Sequence, residues 1–318
     1  MSARDDIPHV TIITSVFNEE ATLEAYREEV TRCLLSREDV HFDVLFVDDG
    51  SVDRSWEIIE GFCRESPRFR GLRLSRNFGA HCADSAGIDH ATADAVAMLA
   101  CDLQDPAETV LEFVKKWRAG AEIVWGQRQK RSENVLRIWL VNLFTWLMRT
   151  QAMPKGSKFS TGGFFLIDRT VIECFRRFRE HNRIAFALVA YTGFQQDVVL
   201  YDRVARKAGV SGWDFGRTLK AMYDVLIGFS GVLPRFITLL GGGIFLLNIP
   251  ILIFLIVDDF LSRPLPGWTG TMVALCFFFG IVCLMLGVMT EYLQRIYAEV
   301  TARPLYFIAQ RTEHSRPN

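Results

Sequence analysis

The sequence predicts an α/β fold: an open, mostly parallel sheet with helices on both faces. A juxtamembrane amphipathic helix and a two-helix transmembrane hairpin follow it. Three observations predict this architecture. β-rich apolar runs alternate with helical patterns from His9 to Arg128. Polar residues gather where each apolar run ends. Two long uncharged runs lie close together near the C-terminus.

The first run, "HVTIITSVF", leads into "NEEATLEAYREEVTRCLL", a helical pattern with acidic residues in its first turns. "FDVLFVDDGS" repeats the scheme and precedes the helix "VDRSWEIIEGFCRE". "RGLRLSRN" is a third strand, followed by the helical "HCADSAGIDHAT". "AVAMLACD" is a fourth, followed by "PAETVLEFVKKWRAG", and "AEIVWGQR" is a fifth. Asp105, Pro106 and Glu108 fit N-cap, N1 and N3 of the helix after the fourth strand. Continuous apolar strands between helices belong to a sheet buried on both faces.

Residues 236–257 read "FITLLGGGIFLLNIPILIFLIV", and residues 268–290 read "WTGTMVALCFFFGIVCLMLGVMT". Neither run carries a charge, and each is long enough to cross a ~30 Å hydrocarbon core as a helix. The rival reading is a pair of buried core helices, which rarely carry uncharged runs of this length. The loop between the runs has one basic residue, Arg263. The flanks carry Arg217, Lys220 and Arg235 before, and Arg295, Arg303, Arg311 and Arg316 after. Both ends are therefore expected on the cytoplasmic side. Residues 213–235 show apolar positions at helical spacing. They are expected in the membrane interface, with a helix packed on the globular domain as the alternative. The expected division is a catalytic domain at 1–212, the amphipathic helix at 213–235, the hairpin at 236–290 and a cytoplasmic tail at 291–318.

The chain has 318 residues with 36 basic and 37 acidic side chains, so net charge argues neither for nor against nucleic acid. Mean hydropathy is +0.15, and the apolar excess lies after Arg235. The seven cysteines form no CxxC pair, and a reduced set is expected rather than disulfides or a zinc site. The N-terminus lacks an apolar signal-peptide core, so export of the first domain is not expected.

In open α/β sheets, ligands bind beyond the carboxyl ends of the strands. Polar clusters stand there: Asn18 and Glu19, Asp48 and Asp49, Arg76 and Asn77, Asp102 and Gln104, Arg128 and Arg131. Acidic residues at strand ends often only cap the next helix, and Asp49 with Gly50 and Ser51 also fits a turn. Together the clusters describe a polar crevice. A GxGxxG after the first strand and a GxxxxGK[ST] are both absent, which removes the usual dinucleotide and P-loop readings. His81 and His90 stand alone and read as helix-surface residues.

The motifs "SVFNEE", "FVDDGSVD", "LSRNFGAH", "CDLQDP", "GQRQKR" and "TGGFFLIDR" occur in that order. "YDRVARKAGVSGW", the paired apolar runs and "EYLQRIYAEVTARPLY" follow. This set resembles the inverting GT-A glycosyltransferases of family 2, and within them the polyprenyl-phosphate glycosyltransferases. Those include dolichol-phosphate mannosyltransferases and bactoprenol glucosyltransferases. The resemblance runs from about residue 9 to 308.

It implies a Rossmann-like GT-A fold and transfer of a sugar, with inversion, from a nucleotide sugar to polyprenyl (undecaprenyl or dolichyl) phosphate. It implies Mg²⁺ or Mn²⁺ on the donor diphosphate. It implies an inner (plasma) membrane protein with a cytoplasmic catalytic domain, often homo-oligomeric, and no nucleic-acid partner. UDP-glucose is the first expected donor, with GDP-mannose and UDP-GlcNAc behind it. The resemblance puts Ser15, Phe17, Glu19, Asp48, Asp49 and Asp102 at the nucleotide sugar. It makes Asp102 and Gln104 metal ligands and assigns Asp102, Arg128 and Arg131 to catalysis. Arg128, Arg131, Arg137 and Arg206 would meet the lipid phosphate.

The sequence also departs from the family pattern. Ala100 replaces the first Asp of DxD, Gly163 the acidic residue of TGDF, and Phe165 an arginine two residues on. Gly212 stands for a lysine after "AGxS", and Ser15 for a proline. A catalytically impaired, membrane-anchored nucleotide- or lipid-binding homologue is therefore the main alternative. Asp102, Gln104, Glu19, Asp48 and the arginines favour activity. A processive polysaccharide synthase would carry more spans and a QxxRW-type motif, which "FQQDVVLYDR" is not.

Overall fold

The computed structural model describes residues 7–129, 158, 163–180, 183–204, 250 and 268–312, with only part of the side chains in 268–300. The chain divides into two compact units, Met1–Phe229 with Pro304–Asn318, and Ser230–Arg303.

The first unit opens with β1 (His9–Val16), α1 (Leu23–Val30), which ends in a wider π-type turn, and β2 (His41–Asp48). α2 (Ser55–Glu65), β3 (Phe69–Leu74), α3 (Ala80–His90) and β4 (Ala95–Met98) follow. Then come α4 (Thr109–Arg118), β5 (Ile123–Arg128), β6 (Phe165–Asp168), α5 (Arg169–Phe175), α6 (Ala185–Tyr191) and β7 (Gln196–Tyr201). α7 (Trp268–Thr301) belongs to the second unit, and β8 (Ile308–Thr312) returns to the first.

The strands form one sheet in the order β7-β5-β6-β4-β1-β2-β3-β8. β1 runs parallel to β2 and β4, β2 to β3, and β5 to β7. β6 lies antiparallel between β4 and β5, and β8 is antiparallel to β3. The sheet is thus mostly parallel, as expected, with β6 and β8 as its antiparallel members. β6 and β8 cannot be read from the alternation of the first five strands, because they come from sequence far downstream of their partners.

One core packs Leu23, Tyr26, Phe46, Phe62 and Phe113 on one face of the sheet. The other packs Ile13, Leu45, Val96, Trp125 and Phe165 on the opposite face. Burial on both faces explains why the strand runs lack apolar–polar alternation. Far from the crevice, buried Asp43 accepts from Thr11 Oγ1 at 2.6 Å and Arg70 Nη2 at 2.6 Å, and pairs with His9 Nε2 at 2.9 Å. Burial works to raise its carboxyl pKa. The His9 and Thr11 hydrogen bonds and the Arg70 charge overcome that and hold it below the usual range. This cluster ties the amino ends of β1, β2 and β3 together.

The segment expected as a tail divides in two. α7 runs past position 290 to Thr301, and Ala302, at φ +46°, ends it just before Pro304. β8 then covers the free edge of β3, and Ser75 N–H donates to Phe307 O at 2.8 Å. Tyr306 Oη donates to Asp89 Oδ2 at 3.1 Å, and Asp89 also pairs with Arg183 at 2.8 Å. Deleting residues 304–318 uncovers a sheet edge and removes the β3–β8, Ser75–Phe307 and Tyr306–Asp89 bonds. It is expected to destabilise the first unit by several times the ~1 kcal/mol of one hydrogen bond. Thermal unfolding would show it, and an unchanged midpoint would contradict it.

Among the described residues no helix is long and apolar enough to cross a membrane. The amphipathic helix at 213–235 and the first expected span at 236–257, except for the single residue Pro250, lie outside the described residues. The described cysteines, Cys33, Cys63, Cys82, Cys101 and Cys174, are free thiols, as expected.

Candidate active site

The carboxyl ends of β1, β2, β4, β5 and β7 carry the candidate residues. The loops after β1 and β2 are clamped to each other. Asn18 N–H donates to Ser51 Oγ at 2.9 Å, and Val52 N–H donates back to Asn18 Oδ1 at 2.9 Å. Glu19 N–H donates to Ser55 Oγ at 2.9 Å. Asn18 adopts φ +54°, a left-handed conformation that asparagine tolerates better than most residues. Gly50 at φ +70° is required on two grounds: its backbone conformation, and the Arg76 backbone 2.5 Å from where a Cβ would sit.

Asp48 is fully buried. Its Oδ1 accepts from Ser51 N–H at 3.2 Å, and Arg73 Nε lies 3.2 Å from Oδ2. That contact is an ion pair by distance but lacks hydrogen-bond geometry, so Oδ2 keeps unused acceptor capacity. Burial raises the carboxyl's pKa, against the Ser51 hydrogen bonds and the Arg73 charge. Asp49 is committed differently. It accepts from Phe78 N–H at 2.7 Å and Gly79 N–H at 2.8 Å, fastening the loop that enters α3. Burial raises its pKa as well, against those two bonds. Asp49→Ala leaves both amides without their acceptor and is expected to cost about 2–4 kcal/mol of stability. Chemical denaturation would measure the loss, and a change below about 0.5 kcal/mol would contradict it.

Ser15 is half-buried near the end of β1, Phe17 is 45% exposed, and Glu19 is half-buried, with Oε2 accepting from Thr22 Oγ1 at 3.1 Å. Cys101 Sγ lies 3.6 Å from Ser15 O, which links the β1 end to the loop after β4.

In that loop Asp102 Oδ1 accepts from Gln104 N–H at 3.1 Å, an Asx-type turn around Leu103. Leu103 sits at φ +54°, which costs a leucine about 1–3 kcal/mol. Strain of this kind collects at functional loops. Gln104 O in turn accepts from Val204 N–H at 2.9 Å. Asp105 does not cap the following helix, contrary to the sequence-based expectation. α4 starts at Thr109, and buried Asp105 accepts from Tyr201 Oη at 2.7 Å instead. A turn over 106–108 precedes the helix, so the capping pattern falls ahead of its true start.

Arg203 Nη2 lies 3.9 Å from Asp102 Oδ2, and Arg203 Nε lies 3.7 Å from Asp105 Oδ1. Half-buried Arg128 reaches Tyr201 Oη at 3.5 Å. The structure therefore gathers Asp102, Gln104, Arg128, Tyr201 and Arg203. Tyr201 and Arg203 were not among the residues picked from the sequence. Their signal was the end of the apolar run "DVVLY", which marks another strand mouth. Arg131, Arg137 and Arg206 lie outside the described residues.

The positions that depart from the family pattern also have structural meanings. Ala100 is exposed beside the loop. Gly163 is exposed, and a Cβ there would meet nothing within 4 Å. Phe165 is a core residue, 1% exposed, with its ring 5.3 Å from Trp125. His81 packs edge-on to Phe186 at 5.6 Å, and burial lowers its pKa. His90 bridges Ala86 O and Arg311. Neither histidine is the isolated helix-surface residue expected from the sequence.

The family model described as glycosyl transferase family 2 matches residues 11–176, more than half of the chain. The chain belongs to glycosyl transferase family 2. An uncharacterized glycosyltransferase of Synechocystis is 34% identical to this family-2 glycosyltransferase over 305 residues, covering 94% of each chain. The bactoprenol glucosyl transferase of Shigella phage SfX is 31% identical over 306 residues, covering 95% of this chain and 99% of its own. A mannosyltransferase from Pyrobaculum calidifontis, solved with GDP-Man and Mn²⁺, is similar in fold. Its TM-score is 0.51 at 17% identity, over 94% of this chain and 87% of that one.

Among the described residues no three His, Cys, Asp or Glu side chains are grouped to hold a metal unaided. The Asp102 loop fits a different mode. Mg²⁺-like cations are commonly held by one or two carboxylates, with substrate phosphates and water completing the shell. In such a mode Asp102 would supply the carboxylate and Gln104 an amide oxygen.

Proposed function

We propose that this chain moves one sugar, with inversion, from a nucleotide-sugar donor to polyprenyl phosphate at the cytoplasmic face of the inner membrane. One observation carries the reading: the near-full-length similarity to bactoprenol glucosyl transferases. The polar crevice at the strand ends supports it. The membrane hairpin belongs to the proposal and rests on the uncharged runs at 236–257 and 268–290. UDP-glucose is the first donor to test. A homo-oligomer is compatible with the reading.

The side chains take the following roles. Asp48, whose Oδ2 is held beside Arg73, and Ser15, Phe17 and Glu19 line the nucleotide end. Asp49 acts on that end by fixing the loop at Phe78 and Gly79. Asp102 and Gln104 would hold Mg²⁺ or Mn²⁺, which neutralises charge on the departing nucleotide diphosphate. Arg128 and Arg203 place cations beside the same loop, where they attract the donor diphosphate or the acceptor phosphate. Arg131, Arg137 and Arg206 add to the lipid-phosphate side. The acceptor is already an anion, so positioning and charge neutralisation replace a strong general base.

The test is transfer of radiolabelled sugar to undecaprenyl phosphate by the full chain in membranes, using UDP-glucose, GDP-mannose and UDP-GlcNAc with Mn²⁺ or Mg²⁺. A lipid-linked monosaccharide is expected. No transfer from any donor would overturn the reading. Because the protein supplies one carboxylate, Mn²⁺ binding is expected to need the nucleotide. Titration of Mn²⁺ by electron paramagnetic resonance should show weak binding alone and at least tenfold tighter binding with UDP. Equal affinity in both would contradict this.

A second reading, a catalytically impaired binding protein, is favoured by Ala100 and Gly163 and by the commitment of Asp105 to Tyr201. It predicts nucleotide binding that survives loss of Asp102, with no transfer.

A further inference from the structure

Near the end of β1, Ser15 is joined to a carboxylate that has no role in the account above. Ser15 Oγ donates to Asp84 Oδ1 at 2.7 Å. Asp84 is the fifth residue of α3, a helix packed on β1 and β2, and it is half-buried. Few groups oppose or support a charge there. Asp49 stands on the β2 side and repels it, and Ser15 on β1 supports it. Cys82, on the same helix, has its thiol raised by burial and by Asp49 and Asp84. α6 packs on α3 without a charged residue, and on α5 Arg169 and Glu173 pair with each other. Burial pushes the Asp84 carboxyl up to about 6.

A serine hydroxyl has one proton and two acceptor lone pairs. While that proton points to an ionised Asp84, Ser15 can offer only acceptor capacity to a ligand. Once Asp84 is protonated, its own O–H can donate to Ser15, and the Ser15 proton is freed to point elsewhere. Asp84 thereby sets the hydrogen-bonding sense of a residue at the mouth of β1.

We infer that Asp84 is a positioning residue for donor selection, holding Ser15 as an acceptor for an N–H group on the edge of the donor's base. This rests on the proposed nucleotide-sugar reading. Uracil carries a ring N–H between two carbonyl groups, and guanine carries a ring N–H between one carbonyl and an amino-bearing carbon. Cytosine presents an unprotonated ring nitrogen at the equivalent place and would face the Ser15 lone pair unfavourably. A pair serving only the fold would not distinguish these bases.

Calorimetric titration of the full chain in detergent, with Mn²⁺, tests the inference. The probes are UDP-glucose, GDP-mannose and a CDP-sugar, whose diphosphate diesters do not titrate between pH 5 and 8. Wild type should bind the uridine or guanosine donor on the order of threefold to tenfold more tightly at pH 7.5 than at pH 5, the worth of about one hydrogen bond. Asp84→Asn should flatten that profile. Ser15→Ala/Asp84→Leu removes both partners together, which keeps the cost to the fold small. It should lose preference against the CDP-sugar while its unfolding midpoint stays near wild type.

A second readout needs no ligand. The carboxyl binds more protons folded than unfolded between pH ~4 and ~6, so its contribution lowers stability as pH rises through that window. Asp84→Asn should remove this slope. Donor binding by the double variant with unchanged pH profile and base preference overturns the inference and leaves the function standing. Failure of wild type to bind any donor overturns both.

Discussion

Asp102→Ala is expected to lower sugar transfer about 10²–10³-fold, the usual loss when one group aimed at developing charge is removed. Asp102 lies in the loop after β4, with its Oδ2 3.9 Å from Arg203 Nη2. Removing it takes away the acceptor of the Gln104 N–H bond and, on the proposed reading, the charged metal ligand. The residue is not part of the hydrophobic core, so the unfolding midpoint should move little. Asp102→Asn keeps the turn geometry but not the charge, and it should lose nearly as much activity. Steady-state transfer kinetics with circular dichroism would test both variants. Activity within threefold of wild type would show that the loop does not carry the chemistry.

Ala100→Asp is expected to act in the opposite direction. The position is exposed, two residues before Asp102, where the family pattern places a second carboxylate. An added hard oxygen ligand should tighten Mn²⁺ binding in the presence of nucleotide on the order of tenfold, or ~1.4 kcal/mol. Activity at limiting metal should rise with it. Gly163→Asp is sterically open and is expected to add to the effect. Phe165→Arg is different, because its side chain belongs to the core against Trp125, and a buried cation there should destabilise the fold. Unchanged metal affinity in Ala100→Asp would contradict the expected place of position 100 beside the metal.

The alternating part of the fold was legible because local patterns decide it. β1 to β5 and the helices between them follow runs of apolar residues interrupted by caps and turns. β6 and β8 were not legible. Their short segments, "FLID" and "IAQRT", take their places through pairing with β4, β5 and β3, which lie far away in sequence. The Asp105 capping pattern was present, but tertiary bonds to Tyr201 claimed its carboxylate and the helix began later.

At the site, the strand-end rule located Asp48, Asp102 and Arg128. Partner choice was invisible to it. Asp49 could be read as a nucleotide contact or as a turn residue, and the two backbone amides it holds were not legible. Arg203 looked no different from Arg206 in "YDRVARK", yet it stands next to Asp102. Asp84 gave no sequence signal, because its meaning comes from Ser15, on another element.

Acceptor-dependent product formation tests the central claim most directly. The full chain, reconstituted in liposomes with and without undecaprenyl phosphate, would be given each nucleotide sugar and Mn²⁺, and the extracted lipids weighed by mass spectrometry. A lipid heavier by a single sugar, formed only with undecaprenyl phosphate and lost in Asp102→Ala, is the expected result. Nucleotide binding without that product for any donor, or a polymer in its place, would contradict the claim.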